Sequence, residues 1–298
     1  MKAPGSKGLA LAEAFLVTFL WSTSYVLVKI GLREINPLTL VTYRYVIASL
    51  VLLLVWCSRG GLSLRRLNRR KLTSVFLLAF TGYFIAQGLQ VIVLSYLPVT
   101  TNAVILNLSP IIVLALGIVF LGERPSPAQF VGIVTALLGV LAFFSEGVSA
   151  TSEVFGLALA LVSGLGWATY MVLSRYYLRG GREDVLWFTT MSMALGSLMM
   201  LLPTATTGNL TGVSLGGWAI ILWLSLVNTS LAFVLWNRAL RVLKAYEQSV
   251  LQSSMIVQSS LLAMIFLGER LTPLMMLGMA LVIVGVLIVQ LRARPSTP

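Results

Sequence analysis

The pentapeptide FLGER occurs twice in this chain, at Phe120–Arg124 and again at Phe266–Arg270. The copies are 146 residues apart, and the same offset places Trp21 on Trp167. Further identities at that offset include Thr23 and Thr169, Ala86 and Ala232, Leu97 and Leu243, Pro127 and Pro273, Gly132 and Gly278, and Gly139 and Gly285. Similarity at a fixed offset indicates a duplicated structural unit. The sequence therefore predicts two repeats, residues 1–146 and 147–298.

The composition predicts that both repeats lie in a lipid bilayer. Of the 298 residues, 58% are hydrophobic and 10% are charged, whereas soluble domains carry about 25% charged residues. Apolar runs of transmembrane length cover residues 9–30, 37–57, 72–95, 99–121, 127–145, 155–176, 184–202, 215–238, 245–267 and 272–291. We therefore predict an all-α membrane protein with ten transmembrane helices, five in each repeat.

The odd number of spans in each repeat predicts that the two repeats cross the membrane in opposite directions. The result is a 5+5 inverted repeat about an axis in the membrane plane, an architecture that many secondary transporters share. Two inverted halves can exchange conformations, and the exchange opens one central site to each side of the membrane in turn. Alternating access is therefore the predicted mechanism.

The net charge of +12 reflects membrane topology rather than binding to nucleic acid. With a cytoplasmic N-terminus, 17 of the 21 Lys and Arg residues fall on the cytoplasmic side, and the exceptions are Lys29, Arg33, Arg44 and Arg270. Cytoplasmic segments of membrane proteins are enriched in these residues. The pattern predicts a multi-pass protein with both termini in the cytoplasm, with membrane lipids as its surroundings and no nucleic-acid partner.

Polar and aromatic residues recur at helical spacing on several predicted spans. Ser163, Trp167, Tyr170 and Ser174 form one stripe in span six. Such residues at membrane depth usually face a cavity or another helix. The predicted substrate cavity consists of Trp21, Tyr25, Tyr83, Gln87, Gln90, Asn102, Trp167, Tyr170, Asn228, Trp236, Gln248 and Gln252. Amides, hydroxyls and aromatic rings together suit a ligand with a polar head and an aromatic or apolar body.

The same residues also fit a purely structural role, because amides and hydroxyls join transmembrane helices at about 1 kcal/mol each. Trp and Tyr near span ends are also typical of membrane interfaces. In spans five and ten a different pattern appears, with small residues at Ala128, Gly132, Thr135 and Gly139. This small-residue seam predicts a close helix contact, either as scaffold or between copies of the chain.

Two charged residues inside the spans are candidates for gating or coupling. Arg44 lies seven residues past Pro37, or about 10 Å along a helix. It can reach a substrate carboxylate, extend to the headgroups or bind backbone carbonyls. Glu13 is the candidate for proton coupling, with a solvated interfacial carboxylate as the alternative. For Glu123 and Glu269 the sequence predicts local pairing with Arg124 and Arg270 at the span ends.

Three stretches resemble the drug/metabolite transporter superfamily: W-S-T-S-Y at 21–25, Y-R-Y-V-I-A-S-L at 43–50 and the duplicated F-L-G-E-R. The resemblance covers nearly the whole chain and implies ten helices in two domains of the EamA type. It is strongest to the bacterial aromatic amino-acid exporters of the inner membrane. It implies export of metabolites across the cytoplasmic (inner) membrane, with spans five and ten peripheral to a central cavity.

These observations favour a monomeric transporter that exports amino acids, including aromatic ones. An exporter of aromatic cationic drugs or of other small metabolites is the alternative within transport. An intramembrane enzyme is the alternative from another class. It is disfavoured because the chain has no His, one Cys and no clustered acidic residues for metal or acid–base chemistry. The sequence predicts neither a catalytic residue nor a metal or cofactor.

Overall fold

The computed structural model describes residues 6–60, 69–97, 107, 109–145, 154–181, 183–207, 212–267 and 271–291. These residues form helices and short connections. The ten helices are α1 (Lys7–Gly31), α2 (Pro37–Ser58), α3 (Arg69–Leu78, Ala79–Gly88 and Leu89–Tyr96 in succession), α4 (Ser109–Leu121), α5 (Pro127–Phe144), α6 (Val154–Leu178), α7 (Val185–Thr207), α8 (Leu215–Leu240), α9 (Ala245–Gln252 and Ser254–Leu267) and α10 (Pro273–Leu291).

The helices follow the apolar runs that the sequence shows. Seven of them, α1, α2, α3, α6, α7, α8 and α10, are long and apolar enough to cross a membrane. Helix α4 is described only in its second part, since residues 99–106 of the predicted span lie outside the described residues. Helix α9 differs from its prediction because a turn at Ser253 divides it.

Local sequence signals set where several helices begin and end. Ser6 and Asn36 cap α1 and α2 by accepting hydrogen bonds from backbone amides of the first turn. Gly122, with a φ of 67°, ends α4 in the left-handed conformation that glycine adopts without strain. Ser126 and Gln129 then form a capping box at the start of α5. The first FLGER copy thus covers the end of α4 and the start of the turn that leads to α5.

Helices α5 and α10 pack along a glycine seam and show that the halves are inverted. A Cβ on Gly132 would lie 2.9 Å from the carbonyl oxygen of Gly285, and one on Gly139 would lie 2.6 Å from that of Gly278. The two contacts run in opposite directions along the chain, so α5 and its repeat counterpart α10 are antiparallel. The sequence left open whether this seam contacts another helix of the chain or another copy of the chain. In the structure, α10 of the same chain packs against it.

A second pair of repeat counterparts, α2 and α7, is also antiparallel. Thr42 contacts Thr204 at 2.7 Å between their hydroxyl oxygens, and Ser49 contacts Ser197 at 3.2 Å. From the first contact to the second, the residue number increases on α2 and decreases on α7. Because the counterparts run in opposite directions in both pairs, the fold is a 5+5 inverted repeat. The repeat boundary at residues 146 and 147 stays a prediction.

Helices α3 and α8, which are repeat counterparts, both contain a π-helical stretch near mid-length. It covers Ala79–Gly88 in α3 and Leu226–Leu231 in α8. A π-helical turn widens the helix and changes which backbone carbonyls are free to accept other donors, and such turns are frequent at functional sites. The sequence offered no signal for these turns.

Candidate functional site

An aromatic cluster lies where the two halves meet. Trp21 of α1 and its repeat counterpart Trp167 of α6 contact each other edge to face, with ring centroids 5.6 Å apart. Trp21 also lies 4.8 Å from Trp236 and 5.5 Å from Phe233, both on α8. Since two repeat counterparts touch, the axis that relates the halves passes through this cluster. Transporters of this architecture bind substrates near the repeat interface at mid-depth.

A chain of polar groups continues from the cluster between α3, α6, α7 and α8. The hydroxyls of Tyr83 and Tyr170 are 3.2 Å apart. The Asn237 side-chain amide donates to the Tyr170 hydroxyl at 2.9 Å and to Thr189 at 3.0 Å. All four residues are buried. Gly82 makes this packing possible, because a Cβ at that position would lie 2.1 Å from the Tyr170 ring.

Helix α9 supplies two glutamines to the same region. Trp167 donates its indole N–H to Oε1 of Gln252 at 2.9 Å, immediately before the turn at Ser253. Gln248 donates from Nε2 to the backbone carbonyl of Trp236 at 2.9 Å. Nε1 of Trp236 and Oε1 of Gln248 are buried without a partner among the described residues. Both atoms keep unused hydrogen-bonding capacity in the buried interface.

Three further predicted residues lie half-buried on the other side of the cluster. Gln87 accepts a hydrogen bond from the Tyr45 hydroxyl at 2.9 Å. Tyr25 lies close enough to Gln90 for their side chains to interact. Both glutamines and Tyr25 keep part of their surface exposed, while Tyr45 is buried against Tyr83 and Phe233. These residues form a polar rim beside the aromatic rings.

Arg44 extends from α2 into the interface with α8. Its Nε donates to the Thr229 hydroxyl at 2.6 Å, and Nη2 donates to the backbone carbonyl of Asn228 at 3.3 Å. Its guanidinium also lies 5.6 Å from the centre of the Tyr45 ring, a distance at which a cation and a π system attract each other. Of the alternatives that the sequence left open, the structure shows a hydrogen bond to a backbone carbonyl.

Asn228 is the residue that connects most of these groups. Its backbone carbonyl accepts from Trp21 Nε1 at 3.0 Å as well as from Arg44. Its side-chain Nδ2 donates to the Leu20 carbonyl and to the Thr23 hydroxyl. Asn228 lies in the π-helical turn of α8, which places these polar atoms against α1 and α2. This turn therefore joins the first repeat to the second beside the aromatic cluster.

Two acidic residues form ion pairs with residues far away in the chain. Glu123 pairs with Arg175 of α6, with Oε1 2.7 Å from Nε, so the prediction of local pairing with Arg124 is wrong. Residues 52 positions apart meet here because α4 and α6 end on the same face. Glu13 pairs with Arg238 at 2.9 Å, and its side chain is 12% exposed. Glu269 lies outside the described residues.

The predicted cavity residues that the structure describes are all buried or half-buried. Those that are fully buried are Trp21, Tyr83, Trp167, Tyr170, Asn228, Trp236 and Gln248, while Tyr25, Gln87, Gln90 and Gln252 are half-buried. Asn102 lies outside the described residues. Tyr45, Phe233 and Asn237 belong to the same cluster but were absent from the predicted set. Phe233 lies three residues before the predicted Trp236 and Asn237 follows Trp236 directly, so helical spacing on α8 pointed toward both, whereas no pattern pointed to Tyr45.

A family model described as the EamA-like transporter family matches residues 7–145 and 154–291, one match for each repeat. The chain belongs to the EamA-like transporter family. It is therefore a membrane-embedded transporter of small molecules. Membership of a transporter family is the reason to reject the alternative of an intramembrane enzyme.

Similar proteins match this chain over most of its length. An uncharacterized transporter of Archaeoglobus fulgidus is 28% identical over 232 residues, 76% of this chain and 78% of the relative. A probable terminal-alkyne amino-acid exporter of Streptantibioticus cattleyicolor is 28% identical over 281 residues, 93% of this chain and 92% of that protein. A solved crystal structure, 21% identical, has the same fold with a TM-score of 0.82, covering 97% of this chain and 99% of that one.

Proposed function

We propose that this EamA-family transporter exports amino acids, including aromatic ones, by alternating access. The observation that carries the proposal is the cluster of Trp21, Trp167, Phe233 and Trp236 on the axis between the repeats. Large aromatic rings beside amide groups can bind an aromatic side chain together with a polar head. The similarity to a probable amino-acid exporter supports the same substrate class.

The proposal includes the topology inferred from the charge distribution. The N- and C-termini face the cytoplasm, and the protein acts as a monomer in the inner membrane. The ends of α4, α6 and α8, near Glu123, then lie toward the cytoplasm. Substrate binds between the repeats among the twelve predicted cavity residues, and exchange of conformation between the halves carries it outward.

Export of aromatic cations is less well supported. A permanent cation at membrane depth needs a carboxylate to balance it. Glu13, the acidic residue near the cytoplasmic entry of span one that the sequence offers as a candidate, already pairs with Arg238. The described residues thus offer aromatic rings without a free carboxylate, and this favours a zwitterion over a cation.

The test is efflux of labelled Phe, Tyr and Trp from proteoliposomes containing the purified protein, with and without a pH gradient. We expect efflux of at least one of the three well above that from protein-free liposomes. A labelled quaternary aromatic ammonium compound serves as the competing substrate. Movement of this cation without movement of any aromatic amino acid would overturn the proposal.

A further inference from the structure

Arg44 carries a positive charge that no carboxylate of the described residues balances. The four ion pairs in that part of the chain join Lys7 to Glu247, Lys71 to Glu183, Arg175 to Glu123 and Arg238 to Glu13. Arg44 is buried at 7% exposure and contacts a hydroxyl, a backbone carbonyl and an aromatic ring, all of them neutral. Ionised groups at membrane depth are costly, and those that persist typically mark the path of a substrate or ion.

An unpartnered acceptor lies in the same turn of α8. Oδ1 of Asn228 is buried and has no hydrogen-bond partner among the described residues. The amide orientation is fixed by Nδ2, which faces two acceptors, the Leu20 carbonyl and the Thr23 hydroxyl. A buried acceptor without a donor is unfavourable. A ligand that supplied an N–H group here would remove that cost.

We infer that Arg44 and Asn228 Oδ1 form the subsite for the head of a zwitterionic amino acid, an inference that rests on the proposed function. The guanidinium binds the α-carboxylate, and the amide oxygen accepts from the α-ammonium group. One carbon atom carries both groups, so the cation and the acceptor must be neighbours. Asn228 links the two groups here, because it carries the acceptor on its side chain and its backbone carbonyl accepts a hydrogen bond from Arg44 at 3.3 Å.

Trp21 connects the head subsite to the aromatic cluster. Its indole donates to the carbonyl that Arg44 also contacts, and its ring packs against Trp236 and Trp167. An aromatic side chain can therefore lie against these rings while its head lies against Arg44. The repeat counterparts of Arg44 and Asn228 are Thr190 and Gly82. The subsite thus occurs once per molecule, despite the duplication of the helices.

The first test uses the wild-type protein and three ligands of similar shape. L-Phenylalanine has both head groups, phenethylamine lacks the carboxylate, and 3-phenylpropionate lacks the ammonium group. Binding to purified protein is followed by the intrinsic fluorescence of its seven tryptophans. Hydrogen bonds to charged groups are stronger than those between neutral groups. Each analogue should therefore bind at least about 10-fold more weakly than L-phenylalanine. Equal binding of phenethylamine and L-phenylalanine would overturn the inference.

The second test changes the two residues. In Arg44→Gln, L-phenylalanine should bind about 10-fold more weakly while phenethylamine changes within about twofold. Asn228→Asp keeps the side-chain shape and places a carboxylate beside Arg44. We expect it to lose L-phenylalanine binding and to bind phenethylamine more tightly than the wild type does. Lys29→Gln, which removes an exposed cation, is the control and should change neither ligand.

The outcomes separate the two levels of the proposal. If the wild-type protein neither binds nor moves Phe, Tyr or Trp, the proposed function fails before any variant is made. If it does so and Arg44→Gln weakens L-phenylalanine and phenethylamine equally, Arg44 is a structural residue and only the subsite is wrong. If the Arg44→Gln protein does not fold, the Asn228→Asp variant tests the subsite instead. A reversed preference, for phenethylamine over L-phenylalanine, supports the subsite, and an unchanged preference overturns it.

Discussion

The two ends of the central site differ in how their polar groups are held. At the Glu123 end, Glu123 and Arg175 pair with side chains that are each 7% exposed. Arg175 also donates to the carbonyls of Leu240 and Arg241, both at 2.9 Å, and Glu123 accepts from the Ala245 amide at 2.9 Å. One buried ion pair thereby joins α4, α6, α8 and α9 and occupies carbonyls at the end of α8.

At the opposite end, the repeat counterpart of Arg175 is Lys29, which is exposed at the end of α1. The polar residues nearby, Tyr25, Gln87 and Gln90, are half-buried, whereas Asn237 and Gln248 near the Glu123 end are fully buried. The duplication thus preserved the helices, while the buried Arg175 of one end has an exposed lysine as its counterpart at the other. The two ends therefore differ in how deeply the described polar side chains are buried.

Breaking the buried ion pair should have the largest effect on this difference. Removing one partner of such a pair leaves an uncompensated charge, so Glu123→Ala should lower the free energy of unfolding by about 3–5 kcal/mol. Lys29→Ala, at the repeat counterpart of Arg175, should change it by less than about 0.5 kcal/mol because the side chain is exposed. Thermal unfolding in detergent measures both, and equal shifts would show that the two ends are held alike.

Accessibility of introduced thiols should show the difference directly. Cys57 is the single cysteine, so Cys57→Ala provides the background for Gln90→Cys and Gln248→Cys. Reactivity requires exposure of the thiolate, and Gln90→Cys should therefore react about 10-fold faster or more with a membrane-impermeant reagent. Adding Glu123→Ala should accelerate the reaction of Gln248→Cys. Equal rates for both cysteines would contradict the comparison of the two ends.

The role of Gln252 can be separated from simple helix packing. Gln252→Leu leaves the Trp167 indole without its acceptor, at a cost of about 1–3 kcal/mol, and efflux of aromatic amino acids should fall several-fold. Gln258→Leu is the matched control, because Gln258 also lies on α9 but bonds to Ser22 and Thr18 of α1. If both variants reduce efflux equally, Gln252 serves in helix packing.

Glu13 should have the smallest effect on stability. Arg238, its partner, is 49% exposed, and exposed pairs contribute about 0.2–1 kcal/mol. Glu13→Gln should therefore unfold nearly as the wild type does, while losing any acceleration of efflux by a proton gradient. Glu183→Gln, in the pair with Lys71, is the control. A gradient response that survives Glu13→Gln would exclude Glu13 from proton coupling.

The sequence predicted the orientation of side chains better than their partners. Helical spacing put Ser163, Trp167 and Tyr170 on one face, and all three are buried. It did not reveal that Glu123 meets Arg175 or that Arg44 meets Asn228, 184 positions away. Periodicity defines which face of a helix is buried, but neighbours depend on how helices are arranged around the axis. Likewise, no pattern in the amino-acid sequence predicts the π-helical turns of α3 and α8.

The amino-acid sequence by itself determined that the protein lies in a lipid bilayer and that its ten helices form two inverted repeats. The lengths of the apolar runs and the odd number of spans in each repeat depend only on the order of residues. The tertiary structure alone decided which polar groups meet. Trp21 touches its counterpart Trp167, Arg44 reaches the π-helical turn at Asn228, and Glu123 joins Arg175. These contacts bring together residues far apart in the chain, and only the packing of one inverted half against the other sets their distances.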